Sequence, residues 1–182
     1  MKYRSVILED IANGNGVGVS LFIQGCSHHC PGCFNPESWD FNDADCPELD
    51  SIVVNTIIAQ LNKPYINHLS ILGGEPLEPR NLFSLACFIK QVKDNCPDKE
   101  IWLWTGYTWE ILQETIRITD RAGYLEYILK NIDYLIDGPF IQEQKDLTLQ
   151  WRGSRNQRII KSAESMKLNE QHFTDSYMIL AD

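Results

Sequence analysis

The chain has 182 residues, 43% of them hydrophobic and 23% charged, the profile of one soluble globular domain with a substantial core. Its formal net charge of −9 argues against a nucleic-acid partner, which needs a basic face, and disfavours an anionic membrane surface. No run of about 18 apolar residues occurs, and MKYRSVILED at the start carries no signal-peptide core, because Glu9 and Asp10 break its short apolar run.

Without a secretory signal, the six cysteines point to a reducing cytoplasm and not to three disulfides. Residues 3–8 (YRSVIL) read as a first strand. The glycines of NGNGVG, 13–18, make a turn; they precede a strand instead of opening a helix, so they are no dinucleotide fingerprint. VSLFIQG, 19–25, is a buried strand that runs straight into CSHHCPGC, 26–33.

That octapeptide spaces Cys26, Cys30 and Cys33 as C-x3-C-x2-C, and Pro31-Gly32 forces a tight turn that aims the last two inward. A cubane iron–sulfur cluster is normally held by four thiolates. Three are present and the motif has no fourth, so one iron would stay open to a non-protein ligand, the vacancy that marks a catalytic metal site. Two alternatives stand beside this. One is zinc, with His28 or His29 completing a Cys3His set, although the short loop hinders their convergence; the other is unmetallated thiols. Cys46, Cys87 and Cys96 are too scattered for a second cluster and read as incidental thiols, Cys87 on the buried side of a helix.

Residues 48–62 have the period of an amphipathic helix, with Leu49, Ile52, Val53, Thr56, Ile57 and Leu61 on one stripe. INHLSIL, 66–72, is a strand ending at Gly73-Gly74-Glu75-Pro76. A helix over about 80–95 turns Leu82, Leu85, Ala86, Ile89 and Val92 inward. EIWLWTG, 100–106, is a third strand; helical patterns fill 108–130, interrupted near Gly123, and a short strand at 133–136 precedes Asp137-Gly138-Pro139. No clear period marks the last ten residues. The alternation predicts an α/β fold in a single domain, 1–182: a partial (β/α) barrel or an open, mainly parallel sheet with flanking helices. A complete eight-fold barrel takes about 250 residues.

In such sheets ligands gather at the carboxyl ends of the strands, where this sequence puts the cysteine loop, Gly73–Pro76, Thr105-Gly106-Tyr107 and Asp137-Gly138. Two glycines let a ligand approach the backbone, and Glu75 is an anionic acceptor suited to an ammonium group. Alone, the GGEP stretch is equally a strand-to-helix turn; beside an open-iron triad it reads as part of a site.

Taken together, LFIQGCSHHCPGCFN, ILGGEPLEP, IWLWTGYTWEIL and IDGPFIQEQKDLTLQWRGSRNQ resemble the radical S-adenosylmethionine superfamily, and within it the activating proteins of anaerobic (class III) ribonucleotide reductase. The resemblance spans residue 21 to about 157 and leaves 158–182 as a C-terminal extension of open role. It implies that Cys26, Cys30 and Cys33 bind a 4Fe-4S cluster whose open iron takes the amino and carboxylate groups of S-adenosylmethionine. Gly73, Gly74 and Glu75 would contact the methionine end, while Gly32, Cys33 and Phe34 would border the adenosyl part. Thr105 and Asp137 are candidate polar groups on the same rim. The implied reaction is reductive cleavage to methionine and a 5′-deoxyadenosyl radical, which removes a hydrogen from a glycine of the reductase. The partners implied are that reductase and an electron donor such as flavodoxin or ferredoxin. The other readings are an activase of a different glycyl radical enzyme, an enzyme with a small-molecule substrate, and a zinc-stabilised binding module. Trp102, Trp104, Trp109 and Tyr107 read as packing, and Arg152 as a partner for some carboxylate.

Overall fold

A computed structural model describes residues 1–119, 122–172, 178 and 179. Six strands, β1 (Tyr3–Asp10), β2 (Gly18–Ile23), β3 (His68–Gly73), β4 (Glu100–Trp104), β5 (Tyr134–Asp137) and β6 (Arg158–Lys161), form one open sheet in sequence order. β2 to β5 run parallel, whereas β1 and β6 are antiparallel edges. The sheet is therefore mixed and does not close into a barrel.

Period-2 alternation assigns the two faces. Paired neighbours Val6, Leu21, Ile71, Leu103, Leu135 and Ile160 make one row across every strand. From Leu21 to Ile160 that row is fully buried in the main core. The helices α1 (Ser51–Leu61), α2 (Leu82–Asn95), α3 (Trp109–Ile118), α4 (Ala122–Asn131) and α5 (Ser162–His172) all contribute to that core, so all five cover the same face. Parallel strands added in one direction by crossovers of one hand leave their helices on one side. The opposite, concave face carries Ser20, Ser70, Trp102 and Tyr134 in the neighbouring row.

Three adjustments to the sequence reading follow. In α1 the buried residues are Val54, Ile57, Gln60 and Leu61, while Ile52, about 200° round the helix from Val54, is 73% exposed; the carboxylate of Asp50 caps the helix, accepting from Val53 N at 3.0 Å. Cys87 is exposed, not buried, because it lies one 100° step off the Ala86–Ile89 face of α2. Residues 158–172 form β6 and α5, and of the last ten residues only Met178 and Ile179 are described: Lys161 N donates to Met178 O at 2.7 Å, and Ile179 bridges Ile160.

The glycine-rich turn folds beneath the concave face. His68 (ring nitrogens 2.6 and 3.2 Å from Asn13 O and Asn15 O) and Ser70 Oγ (2.6 Å from Asn13 O) hold it there. Gly18 is glycine because a Cβ would fall 2.1 Å from the His68 ring.

Candidate functional site

The parallel strands β2, β3 and β5 each run out into a glycine with positive φ, at Gly25 (98°), Gly73 (106°) and Gly138 (95°). Such a residue turns the chain sharply at no steric cost, and the loops it starts converge on one rim. After β2, Gly25 N donates to Ser38 O at 2.7 Å and Cys26 N to Trp39 O at 3.2 Å, so the cysteine loop is pinned to the segment that follows it. Cys33 N closes the Pro31-Gly32 turn on Cys30 O at 3.1 Å. Gly32 (φ 72°) has no room for a Cβ, which would sit 1.9 Å from Gln142 Oε1.

The turn after β3 is the hub. Glu75 is 1% exposed, and its carboxylate meets four donors. Leu77 N (2.8 Å) and Thr105 Oγ1 (2.8 Å) bind Oε1; Gly106 N (2.7 Å) and His28 Nε2 (2.9 Å) bind Oε2. An ionised carboxylate offers about four lone-pair sites, so these protein groups use it up. Its part is to fix the turn. Gly74 also differs from expectation: its open side is filled by the backbone of Gly25, where a Cβ would come within 2.4 Å of the carbonyl oxygen. The glycine turn and the cysteine loop touch directly.

A second carboxylate repeats the tie. Glu78 Oε1 accepts from Ser27 N at 2.9 Å and also from Ser27 Oγ. Neither Ser27 nor Glu78 has a signal in the sequence, since 51 residues separate them. The two histidines did carry one, but as zinc ligands. His28 instead turns to Glu75 and packs edge-on against Tyr107 (ring centroids 4.6 Å apart), while His29, at φ 48°, lies against Trp39. Among the described residues no three His, Cys, Asp or Glu side chains surround a single-ion position, so the Cys3His zinc set is not assembled.

All three thiols are free and open on one cavity of about 630 Å³, a size suited to a cofactor. Phe34, Gly73, Gly74, Glu75 and Thr105 line it as well. Three unpaired thiols at one end, with the Gly73–Gly74 turn lining the same cavity, fit an iron–sulfur cluster. Burial pushes the Cys26 thiol up to about 11, and also raises Cys30. The hydrogen bond to Glu75 raises the His28 imidazole.

A strap over 139–157 closes the outer side. Phe140 packs edge-on against Phe34 (5.4 Å), the Lys145 ammonium stands over the Phe34 ring (4.9 Å), and Trp104 Nε1 donates to Trp151 O at 2.8 Å. Trp102, Trp104, Tyr134 and Trp151 pack on the concave face, while Trp109 is buried on the helix side. Arg152 lines the cavity, its Nε 3.4 Å from Gln150 O. Asp137 departs from its expected place: it does not line the cavity. Wholly buried, its carboxylate accepts from Trp109 N (2.8 Å) and Arg158 Nε (3.0 Å), and so clamps α3 to β6. Arg158 also reaches Glu110 at 2.9 and 3.0 Å, and that pairing holds the Glu110 carboxyl down at about 2.

The family model described as a 4Fe-4S single cluster domain matches residues 12–160. Over 161 residues the chain is 42% identical to the anaerobic ribonucleoside-triphosphate reductase-activating protein of Haemophilus influenzae, covering 87% of this chain and 97% of the relative. The protein of the same name from Escherichia coli strain K12 is 36% identical over 159 residues (86% and 96%). That of Enterobacteria phage T4 is 34% identical over 166 residues (91% and 97%).

Proposed function

The chain belongs to the family of anaerobic ribonucleoside-triphosphate reductase-activating proteins, and from that premise we propose that it installs a glycyl radical in such a reductase by radical S-adenosylmethionine chemistry. The observation that carries the reading is that Cys26, Cys30 and Cys33 open on the same cavity as the Gly73–Gly74–Glu75 turn. The three thiolates hold a 4Fe-4S cluster, and the turn receives the methionine end of S-adenosylmethionine, with Glu75 fixing the glycines that meet it. Gly32 shapes the cysteine turn, and Phe34 and Thr105 border the remainder of the cofactor. Bound there, cluster and cofactor supply an electron and a hydrogen-abstracting group that no side chain can provide. The chain's own work is to orient them, to exclude water with the strap, and to leave a mouth through which the reductase's glycine enters.

A flavodoxin or ferredoxin of the cytoplasm is the proposed electron source. Among the described residues no helix is long and apolar enough to cross a membrane. Anaerobic reconstitution with iron and sulfide, followed by mixing with the anaerobic reductase, S-adenosylmethionine and a reductant, tests the reading. Electron paramagnetic resonance should show a glycyl radical on the reductase, and Cys33→Ala should abolish it. Cofactor cleavage with no radical on the reductase would remove that partner.

A further inference from the structure

Of the four donors on Glu75, three come from its own turn or from the end of β4: Leu77 N, Thr105 Oγ1 and Gly106 N. The fourth, His28 Nε2, is the one from the cysteine loop. His28 stands between two of the proposed ligands, yet its ring points away from any shared ion position and into the glycine turn. The neighbouring loop is shaped to admit it. Gly106 has no Cβ because one would fall 2.5 Å from the His28 ring, and Tyr107 closes over the ring's edge.

We infer that His28 is a positioning residue: through Glu75 it fixes the spacing between the cluster loop and the Gly73–Gly74 backbone, so that one small molecule can meet both. The inference deepens the function proposed above and rests on it. A ligand that bridges two loops binds well only if both are already at the right separation, because loops held there beforehand spare it the cost of ordering them. Glu75 keeps three donors on its carboxylate when His28 is removed, and its own N–H still donates to Gly25 O at 2.8 Å at the base of the loop, so the glycine turn stays folded; what is lost is its tie to the middle of the loop, between Cys26 and Cys30. The Ser27–Glu78 tie still anchors the start of the loop, which leaves the cysteines able to assemble a cluster. This division separates His28 from a ligand, whose loss removes iron, and from a packing residue, whose loss lowers stability without a selective effect on binding.

The test uses anaerobically reconstituted full-length protein and reads three quantities: iron and sulfide per chain, the change in the electron paramagnetic resonance of the reduced cluster on adding S-adenosylmethionine, and the dissociation constant from that titration. His28→Ala should retain wild-type iron and sulfide while binding S-adenosylmethionine about tenfold or more weakly, the effect of losing a hydrogen bond to a charged group. His28→Gln, which keeps an N–H at similar reach, should bind within about threefold of wild type. Unchanged affinity in His28→Ala overturns the inference, and so does loss of iron in both His28 variants, which would make it a ligand. If His28→Ala alone loses iron, His28→Asn, whose shorter amide stops short of Glu75, takes its place, and undiminished affinity or lost iron there overturns the inference. Wild-type protein that carries its cluster but ignores S-adenosylmethionine defeats the functional reading itself, and the inference falls with it.

Discussion

The helix-covered face and the concave face of the sheet are made by alternate residues of the same strands, yet they are filled in opposite ways. Against the helices stand Leu21, Ile71, Leu103 and Leu135, all aliphatic and fully buried. Across the sheet from them stand Ser20, Ser70, Trp102 and Tyr134, partnered by hydrogen bonds and ring contacts. The first face is held mainly by apolar area. The second is held by directional contacts, each with one acceptable partner, and the cavity opens there. Stability and chemistry are thus divided between faces one residue apart.

The division can be broken from either side. Cys30→Ala, at the rim of the concave side, should cut cluster content and reductase activation by about a hundredfold or more, because three thiolates leave no spare ligand. Its thermal midpoint without metal should hardly change. Metal analysis and calorimetry on the same sample check both halves. Leu103→Ala should do the reverse, destabilising the protein by about 2–5 kcal/mol while the molecules that remain folded carry a full cluster; urea unfolding and iron per folded chain decide it.

Gly74→Ala sharpens the boundary. Its Cβ would press on the Gly25 carbonyl, so we expect a loss of about 1–3 kcal/mol together with a lower iron content, since Gly25 leads into Cys26. Full iron at wild-type stability would return this glycine to a role in ligand access alone. The smallest effect belongs to Glu110. Its carboxyl is held at about 2 in the folded chain against 4.5 ordinarily, so its contribution is present above about pH 4.5 and fades as pH falls towards 2. With half of the side chain exposed, that contribution is at most about 1 kcal/mol. Wild type should therefore exceed Glu110→Gln in urea midpoint at pH 6, and the two should merge near pH 2.

The helix-covered face was legible because burial imposes a period, and the strands from β2 to β5 and the inward stripe of α2 follow it. So was the convergence of the cysteine loop and the glycine turn on one rim: thiols at C-x3-C-x2-C spacing and a double glycine are rare enough to stand out, and both lie where parallel strands end. The connections were not legible. His28 could be read only by its type, as a metal ligand, since its partner Glu75 is 47 residues away. Asp137 was placed on the rim by position, but Arg158, in the segment read as an extension, draws its carboxylate to α3. The phase of α1 failed because Ile52 and Val54 are both apolar but lie on opposite sides of the helix, and only Val54 meets the core; Cys87 failed because one residue along a helix is enough to leave the core.

The contact between Gly25 and Gly74 also sets an order of events in the making of the protein. The cysteine loop is among the first parts to leave the ribosome, but the groups that give it shape arrive later: Gly74 and Glu78, then Gly106, and last the strap that meets Gly32 at Gln142. A nascent chain with only its first strands made has three thiols on a loop without walls. Iron delivered at that stage would find a flexible trap, not a site. The loop therefore has its full set of walls only once the chain through Gln142 has folded against it.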